Sequence, residues 1–368
     1  MHRLVRRARE IYRSKGLVNL LSGVLHYSAR KIAALSTFIR AEWGNPYRKR
    51  VPLQWRVRLL SNGFLSQSYF FYDISNLNEY VSNYHRDFRT REINGKSERI
   101  FNDKLLFHQL FDRVLNGHVA EALAWMDDGE LYFFHDVDSF QQLIDEHDQL
   151  IVKPRLGGGG DDIQRITSKE GTLLLNGEEI QTEMLFARIR DKTDSIVCEF
   201  IEQDNYSSQI FPHSLNTIRI LTMVDPDTGE AFIPIAVHRF GTADSVPTDN
   251  WSKGGIASQV DIDSGELSPA AGIAEDGTIS WYASHPDTGE QIEGAEIPGW
   301  TTLAEQIVRV AEQYPNLPYA GWDVAIDANG EFKVIEVNSY PDVNMIQIHK
   351  PLLSDERITR FYESHHVL

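Results

Sequence analysis

Apolar residues recur at helical spacing near the start of the chain and at strand spacing through much of the remainder. In HRLVRRAREIYRSKGLVNLLSGVLHYSARKIAALSTFIRAEW, the residues Leu17, Leu20, Leu21, Val24, Leu25, Ile32, Leu35 and Ile39 lie at helical spacing, which predicts one or two amphipathic helices. Asn19, Ser22, His26 and Arg30 interrupt the longest apolar run, so it falls short of the roughly 20 residues of a membrane span. No small-residue cleavage site follows a proper apolar core, as a signal peptide requires. Residues 51–100 mix aromatic and polar positions, and Tyr69, Phe70, Phe71 and Tyr72 suit a buried helix or strand.

From residue 101 the pattern sharpens. FNDKLLFHQLFDRVL reads as a helix with Asn102 or Asp103 near its start, followed by short strands at HVAEALAWM and ELYFFHD and a capped helix at DVDSFQQLIDEHDQ. LIVKPRLGGGGDDIQRIT then predicts strand, glycine loop, strand; residues 172–192 carry hairpin and helix signals; and SIVCEFIEQ, 195–203, is a strongly apolar strand. NTIRILTMVDPDTGEAFIPIAVHRFG predicts a hairpin turned at Asp225, Pro226, Asp227 and Gly229. A helix over 301–314 and the hairpin GWDVAIDANGEFKVIEVN follow. Strands and helices arriving in blocks, without regular βαβ alternation, predict an α+β fold.

Composition adds size and compartment. The 368 residues are 42% hydrophobic and 24% charged, enough for two or three ordinary globular domains. One cysteine, Cys198, excludes a disulfide framework or cysteine zinc cluster within the chain and fits a cytoplasmic protein. The net charge of −17 is unevenly spread: residues 1–58 hold 14 Lys and Arg against Glu10 and Glu42, whereas the remainder holds 22 bases against 51 acids. The acidic body is expected to repel nucleic acid and anionic membrane, and the basic segment to be attracted to both. That segment either docks on the body of the protein or lies on a membrane surface through residues 1–50, placing the protein at the inner face of the membrane. Only 11 of the 36 basic residues are lysine, which suits a halophilic source as well as plain acidity. His365 and His366 read as part of a solvated tail.

Two constellations carry chemistry. In IVKPRLGGGGDDI, Lys153 ends an apolar strand and Gly157, Gly158, Gly159 and Gly160 follow. Four consecutive glycines cost backbone entropy and suit a loop whose amides approach a ligand closely; a phosphate fits amides beside an ammonium, and a flexible turn is the plainer alternative. No Gly-Lys-Ser/Thr or dinucleotide fingerprint is present. In GWDVAIDANGEFKVIEVNSYPD, strand alternation groups Asp323 with Ala325, and Glu336 with Asn338 and Val334. The turn at Asp327, Asn329 and Gly330 sets Asp323 across from Glu336 and Asn338, three oxygen ligands suited to Mg2+ shared with nucleotide phosphates, unless the face is simply polar and solvated.

A strand ending in Lys before a glycine loop, an apolar strand ending in Glu, and a Glu-x-Asn hairpin with an earlier Asp, in this order over roughly 100–350, resemble the ATP-grasp superfamily. The group most resembled is the sugar-transfer-associated or α-L-glutamate-ligase-related proteins. The resemblance implies two α+β lobes with antiparallel sheets clamping ATP. It places the first lobe at 101–197 and the second at 198–350; outside it, the chain is expected to hold a basic helical segment at 1–58, a pre-domain at 59–100 and a tail at 351–368. It implies Lys104 and Lys153 on ATP, Gly157 to Gly160 over the phosphates, Glu199, Phe200 and Ile201 at the adenine hinge, and Asp323, Glu336 and Asn338 on magnesium. Arg219 in NTIR and Arg239 are the implied catalytic cations, each also able to serve as a strand salt bridge, and Asn250, Gly254 and Gly255 lie in an implied substrate-side loop. The expected activity is ATP-dependent ligation of a carboxylate to an amine on a small molecule, glycan or peptide. A kinase on the same fold and an inactive nucleotide-binding module are the alternatives. No Ser-His-Asp or Cys-His set suggests a side-chain nucleophile.

Overall fold

The computed structural model describes residues 28–134, 137–157, 160, 162–169, 171–192 and 194–368. The apolar positions Leu17 to Leu25, together with Gly158 and Gly159, lie outside them. The chain divides into two compact units, Met1–Ile74 with Ser82–Tyr84, and Ser75–Val81 with His85–Leu368. Among the described residues, no helix is long and apolar enough to cross a membrane.

In the first unit, residues 28–44 form a helix that turns Phe38 and Glu42, one turn apart, inward. Phe38 meets Tyr84 edge-on at 5.9 Å, and the Glu42 carboxylate accepts hydrogen bonds from Ser66 N at 2.9 Å and Ser66 Oγ at 2.6 Å. A second helix follows at Leu53–Ser61.

The second unit contains two seven-stranded antiparallel sheets. The first holds β1 (Ala122–Asp127), β2 (Glu130–Phe133), β3 (Gln149–Pro154), β4 (Gln164–Lys169), β5 (Thr172–Leu175), β6 (Glu178–Glu179) and β7 (Ser195–Glu199), in the order β2-β1-β7-β3-β4-β5-β6. Leu150 and Val152 of β3 and Val197 of β7 face the helices Phe140–Glu146 and Thr182–Arg190, burying Phe140, Leu143, Leu185 and Ile189 with them. Period-2 alternation turns Lys153 and its cross-strand partner Ile196 to the opposite face.

The second sheet holds β8 (Ile218–Val224), β9 (Ala231–Phe240), β10 (Ile256–Val260), β11 (Leu267–Ile273), β12 (Ile279–Tyr282), β13 (Tyr319–Ile326) and β14 (Phe332–Asn338), in the order β12-β11-β10-β9-β8-β13-β14. One face packs on the helix Trp300–Gln313, whose Trp300, Leu303, Ile307 and Val310 are buried against Ile218, Ile220, Trp322 and Val324. Each such side chain stabilises the packing by about 1.5–3 kcal/mol, so this face is committed to the core and the site must lie on the other.

The segments that enter and leave the first sheet are both tied to the β13–β14 hairpin. Before β1, Val334 N donates to His118 O at 2.7 Å and Ala120 N to Val334 O at 2.9 Å; after β7, Asp204 N donates to Ile326 O at 3.0 Å and Ala328 N to Glu202 O at 2.8 Å. The expected helix at 101–115 is broken at Asp103, whose extended backbone and carboxylate cap the helix Lys104–Phe111 by accepting from Leu105 N and Leu106 N. The end of the chain is not the solvated tail expected around His365 and His366. The helix Glu356–Ser364 buries Ile358, Phe361 and Tyr362, Tyr362 hydrogen-bonds Tyr319 at 3.1 Å, and the His365 ring packs on Phe361.

Candidate active site

The face of the second sheet turned away from the helix carries a row of charge across four adjacent strands. Asp323 on β13 pairs with Arg219 on β8 and with Glu336 on β14, while Arg239 N on β9 bonds Thr217 O beside β8. Strict alternation would put Val334 on the face of Glu336 and Asn338, but the register shifts opposite Asp323 and Val324. Ile335 is the extra residue of a β-bulge. Val334 and Val337 therefore both enter the core, whereas Ile335, Glu336 and Asn338 line a cleft of about 880 Å³. Gly321, two residues before Asp323, is needed for close approach, since a Cβ there would lie 2.5 Å from Pro341 Cβ and 3.4 Å from Arg219 Cδ.

Each residue of the NTIR segment has a separate task. Asn216 Nδ2 donates to Phe211 O at 2.8 Å and its Oδ1 accepts from Gly241 N at 3.1 Å, fixing the chain at the start of β8. Thr217 presents its N and Oγ1 to Asp249 Oδ2 at 2.9 and 2.6 Å, and Ile218 enters the core. Arg219 holds Asp323 through two hydrogen bonds of 2.5 and 2.9 Å, and Arg239 Nη2 lies 3.4 Å from the same carboxylate. Burial opposes both charges, but for Asp323 the guanidinium groups of Arg219 and Arg239 outweigh it and hold the carboxyl below its usual value. Burial likewise opposes the Arg219 cation, and the Asp323 charge more than offsets it, raising its pKa. Asp249 behaves differently: burial pushes its carboxyl up, against the opposing effects of Arg239 and Thr217.

Lys104 and Lys153 meet this row from the first sheet and its preceding helix. Lys104 Nζ donates to Gly157 O at 2.6 Å and lies 3.4 Å from Glu336 Oε2. Lys153 Nζ donates to Ile335 O at 3.3 Å, which among the described residues is a single long bond for an ammonium with three donors. Gly157 and Gly160 both take positive φ, and a Cβ on Gly160 would meet Thr248 Cγ2 at 2.8 Å, so the glycine loop reaches the 241–255 loop. The loop is anchored at its base by Arg155, which holds Asp103 with two bonds of 2.7 Å.

The remaining sequence candidates divide between cleft and scaffold. Ile201 packs with Ala120, Ala325, Leu215 and Ile335, an apolar cluster continuous with the cleft through Leu215 and Ile335. Glu199 Oε1 accepts from Glu121 N at 2.8 Å and lies 3.7 Å from Lys333, and Arg165 stacks on the Phe200 ring at 4.4 Å. Asn250 lines the cleft, yet its side-chain Oδ1 caps the turn Trp251–Lys253 by accepting from Ser252 N. Gly254 and Gly255 shape the loop instead of lining the cleft: Gly254 takes φ 108°, and a Cβ on Gly255 would lie 2.6 Å from Asp249 O. Asp249, Thr217 and the Asp103–Arg155 pair escaped sequence reasoning. Asp249 is an ordinary loop acid by pattern, and only its return to a residue 32 positions earlier buries it.

Among the described residues, no group of three or more His, Cys, Asp or Glu is arranged as a metal cage. Glu336 and Asn338 nonetheless fit Mg2+, which binds through one or two protein oxygens and shares the rest of its shell with phosphates and water. Asp323 is already held by two arginines. Five cations, Arg86, Lys104, Lys153, Arg219 and Arg239, and five carboxylates, Asp162, Asp249, Asp323, Glu336 and Asp342, line the cleft, and Lys104 and Lys153, beside the glycine loop, are the cations placed to meet a phosphate-bearing ligand.

The family model described as sugar-transfer associated ATP-grasp matches residues 81–359, and the chain belongs to that family. Among solved structures, the ATP-grasp ligase PsnB complexed with a minimal precursor is 16% identical over 73% of this chain, with a TM-score of 0.37, and the alignment covers 64% of PsnB, less than two thirds of its length. D-alanine–D-alanine ligase from Bacillus anthracis is 14% identical over 73% of this chain and 69% of its own, with a TM-score of 0.38. L-amino acid ligase from Bacillus licheniformis is 12% identical over 70% of this chain and 43% of its own, with a TM-score of 0.37. No curated protein sequence matches the chain significantly.

Proposed function

We propose that this member of the sugar-transfer associated ATP-grasp family is an ATP-dependent ligase that activates a carboxylate and joins it to an amine. The observation that carries the reading is the convergence of Lys104, Lys153, Arg219 and Arg239 on one cleft beside Glu336 and Asn338. In this reading the apolar Leu215–Ile335 end of the cleft, backed by Ile201, takes the purine. Lys104, Lys153 and the glycine loop take the phosphates, and Glu336 with Asn338 holds Mg2+, which when bound neutralises phosphate charge. Arg219, kept protonated and fixed in direction by Asp323, and Arg239, held by Thr217 and Asp249, orient the substrate carboxylate and stabilise its developing oxyanion.

The chemistry requires no protein nucleophile. A carboxylate oxygen of the substrate attacks the γ-phosphorus and ADP leaves; the amine nitrogen then adds to the acyl carbon, loses its proton and expels inorganic phosphate. The protein contributes positioning, charge neutralisation and exclusion of water. The acyl donor and amine are carried by a small molecule, glycan or peptide. In the test, purified protein with γ-labelled ATP and a panel of carboxylates is assayed with hydroxylamine. Carboxylate-dependent hydroxamate and label recovered as free phosphate are expected. Label retained on an alcohol product without hydroxamate would establish a kinase and overturn the reading.

A further inference from the structure

Among the described residues, the first unit carries an apolar stripe that their packing leaves exposed. The helix at 28–44 turns Phe38 and Glu42 inward, while Ile32, Leu35, Ile39 and Trp43 are 69%, 52%, 52% and 72% exposed. At about 100° per residue these four positions fall within an arc of roughly 80°, and Lys31 and Arg40 fall on its two sides. The helix Leu53–Ser61 adds Leu53 and Val57, exposed one turn apart. Single exposed apolar residues are ordinary, but four aligned on one helix mark an interaction surface.

Charge identifies the occupant. Residues 28–74 contain eight Lys and Arg against two acids, and one of these, Glu42, is buried on Ser66. The Arg48 guanidinium lies 4.0 Å over the Trp43 ring, placing a cation beside the aromatic end of the stripe. We propose that this face docks on an anionic bilayer surface, the apolar stripe entering the boundary between headgroups and acyl chains, Trp43 lying at the interface and the basic residues meeting lipid phosphates. A bilayer offers an apolar layer and an anionic layer at the depths where this face offers apolar and basic side chains. A second copy would set two basic faces together. The inference is independent of the reaction assigned to the cleft.

The experiment is flotation of the full chain with vesicles of phosphatidylglycerol and phosphatidylcholine in equal parts, against phosphatidylcholine alone. Binding to the anionic vesicles is expected to weaken as salt rises from about 0.05 to about 0.5 M, and to fall about tenfold or more in a Leu35→Glu, Ile39→Glu variant. Both positions are exposed, so circular dichroism of the variant should match the parent. Brominated lipid should quench a component of tryptophan emission that is absent from Trp43→Phe. The proposal is overturned if the parent stays unbound at low salt. It also fails if the double variant binds equally, which would leave the charge of residues 1–27 as the cause, or if Trp43→Phe shows the same quenching as the parent. A dimer that the double variant dissociates, without vesicle binding, would assign the stripe to a second copy.

Discussion

Replacing Asp323 with Asn removes the negative charge that Arg219 grips with two hydrogen bonds and that Arg239 approaches at 3.4 Å, leaving two buried guanidinium groups without it. Breaking a buried pair in this way costs about 3–5 kcal/mol, a large part of the roughly 5–15 kcal/mol that holds a domain folded. Glu336, directly across the ladder, is different. Its side chain is 21% exposed, its ion pair with Lys104 is 3.4 Å long, and Asn338 Nδ2 reaches it only at 3.5 Å. Such a pair contributes about 0–1 kcal/mol. Urea and thermal unfolding without ligand should therefore show Asp323→Asn destabilised by about 3–5 kcal/mol and Glu336→Gln within about 1 kcal/mol of the parent. Added Mg-ATP at about 100 times its Kd should stabilise the parent by about 2.7 kcal/mol, and this gain should vanish in Glu336→Gln. An Asp323→Asn protein that unfolds like the parent but loses the Mg-ATP gain would make Asp323 a ligand of the bound group instead of the partner of Arg219. A Glu336→Gln protein that is destabilised alone and keeps the gain would reverse the assignment of Glu336.

Two further outcomes follow from single side chains. Lys153→Ala should weaken Mg-ATP binding by about tenfold or more, because a charge-assisted hydrogen bond contributes about 1.5–3 kcal/mol; unchanged calorimetric affinity in a folded variant would remove Lys153 from the site. His238 is buried, bonded to Tyr206 Oη at 2.8 Å, and pushed by burial from 6.5 to about 3. The unfolded chain thus takes up its proton first as pH falls, so stability present above about 6.5 is lost progressively towards 3, by up to about 5 kcal/mol. His238→Gln should flatten that part of the stability-pH curve by close to one proton, and an unchanged slope would show that His238 does not remain neutral in the folded state.

The succession of strands and helices from residue 101 onward, the glycine loop after Lys153 and the β13–β14 hairpin were legible because they rest on local periodicity and turn chemistry. The hairpin itself was legible from its turn, but the register that turn sets, Ile326 opposite Phe332, would carry Asp323 opposite Ile335, and it is the bulge that brings Asp323 opposite Glu336. What alternation could not contain was the bulge at Ile335, which separates Val334 from Glu336 and decides which side chains reach the cleft. Nor did it contain the division of the acidic residues. Asp323 is held by Arg219 from 104 positions away, Asp249 by Thr217 from 32, and Asp103 by Arg155 from 52. Sequence spacing specifies which neighbours a residue has along its own strand or helix, whereas the burial of a charge, and hence its partner and pKa, depends on which distant strand is brought against it. The chain itself dictated the elements and the chemical groups available on them; only the packing of segments distant in sequence determined which of those groups support the fold and which stand open to a ligand.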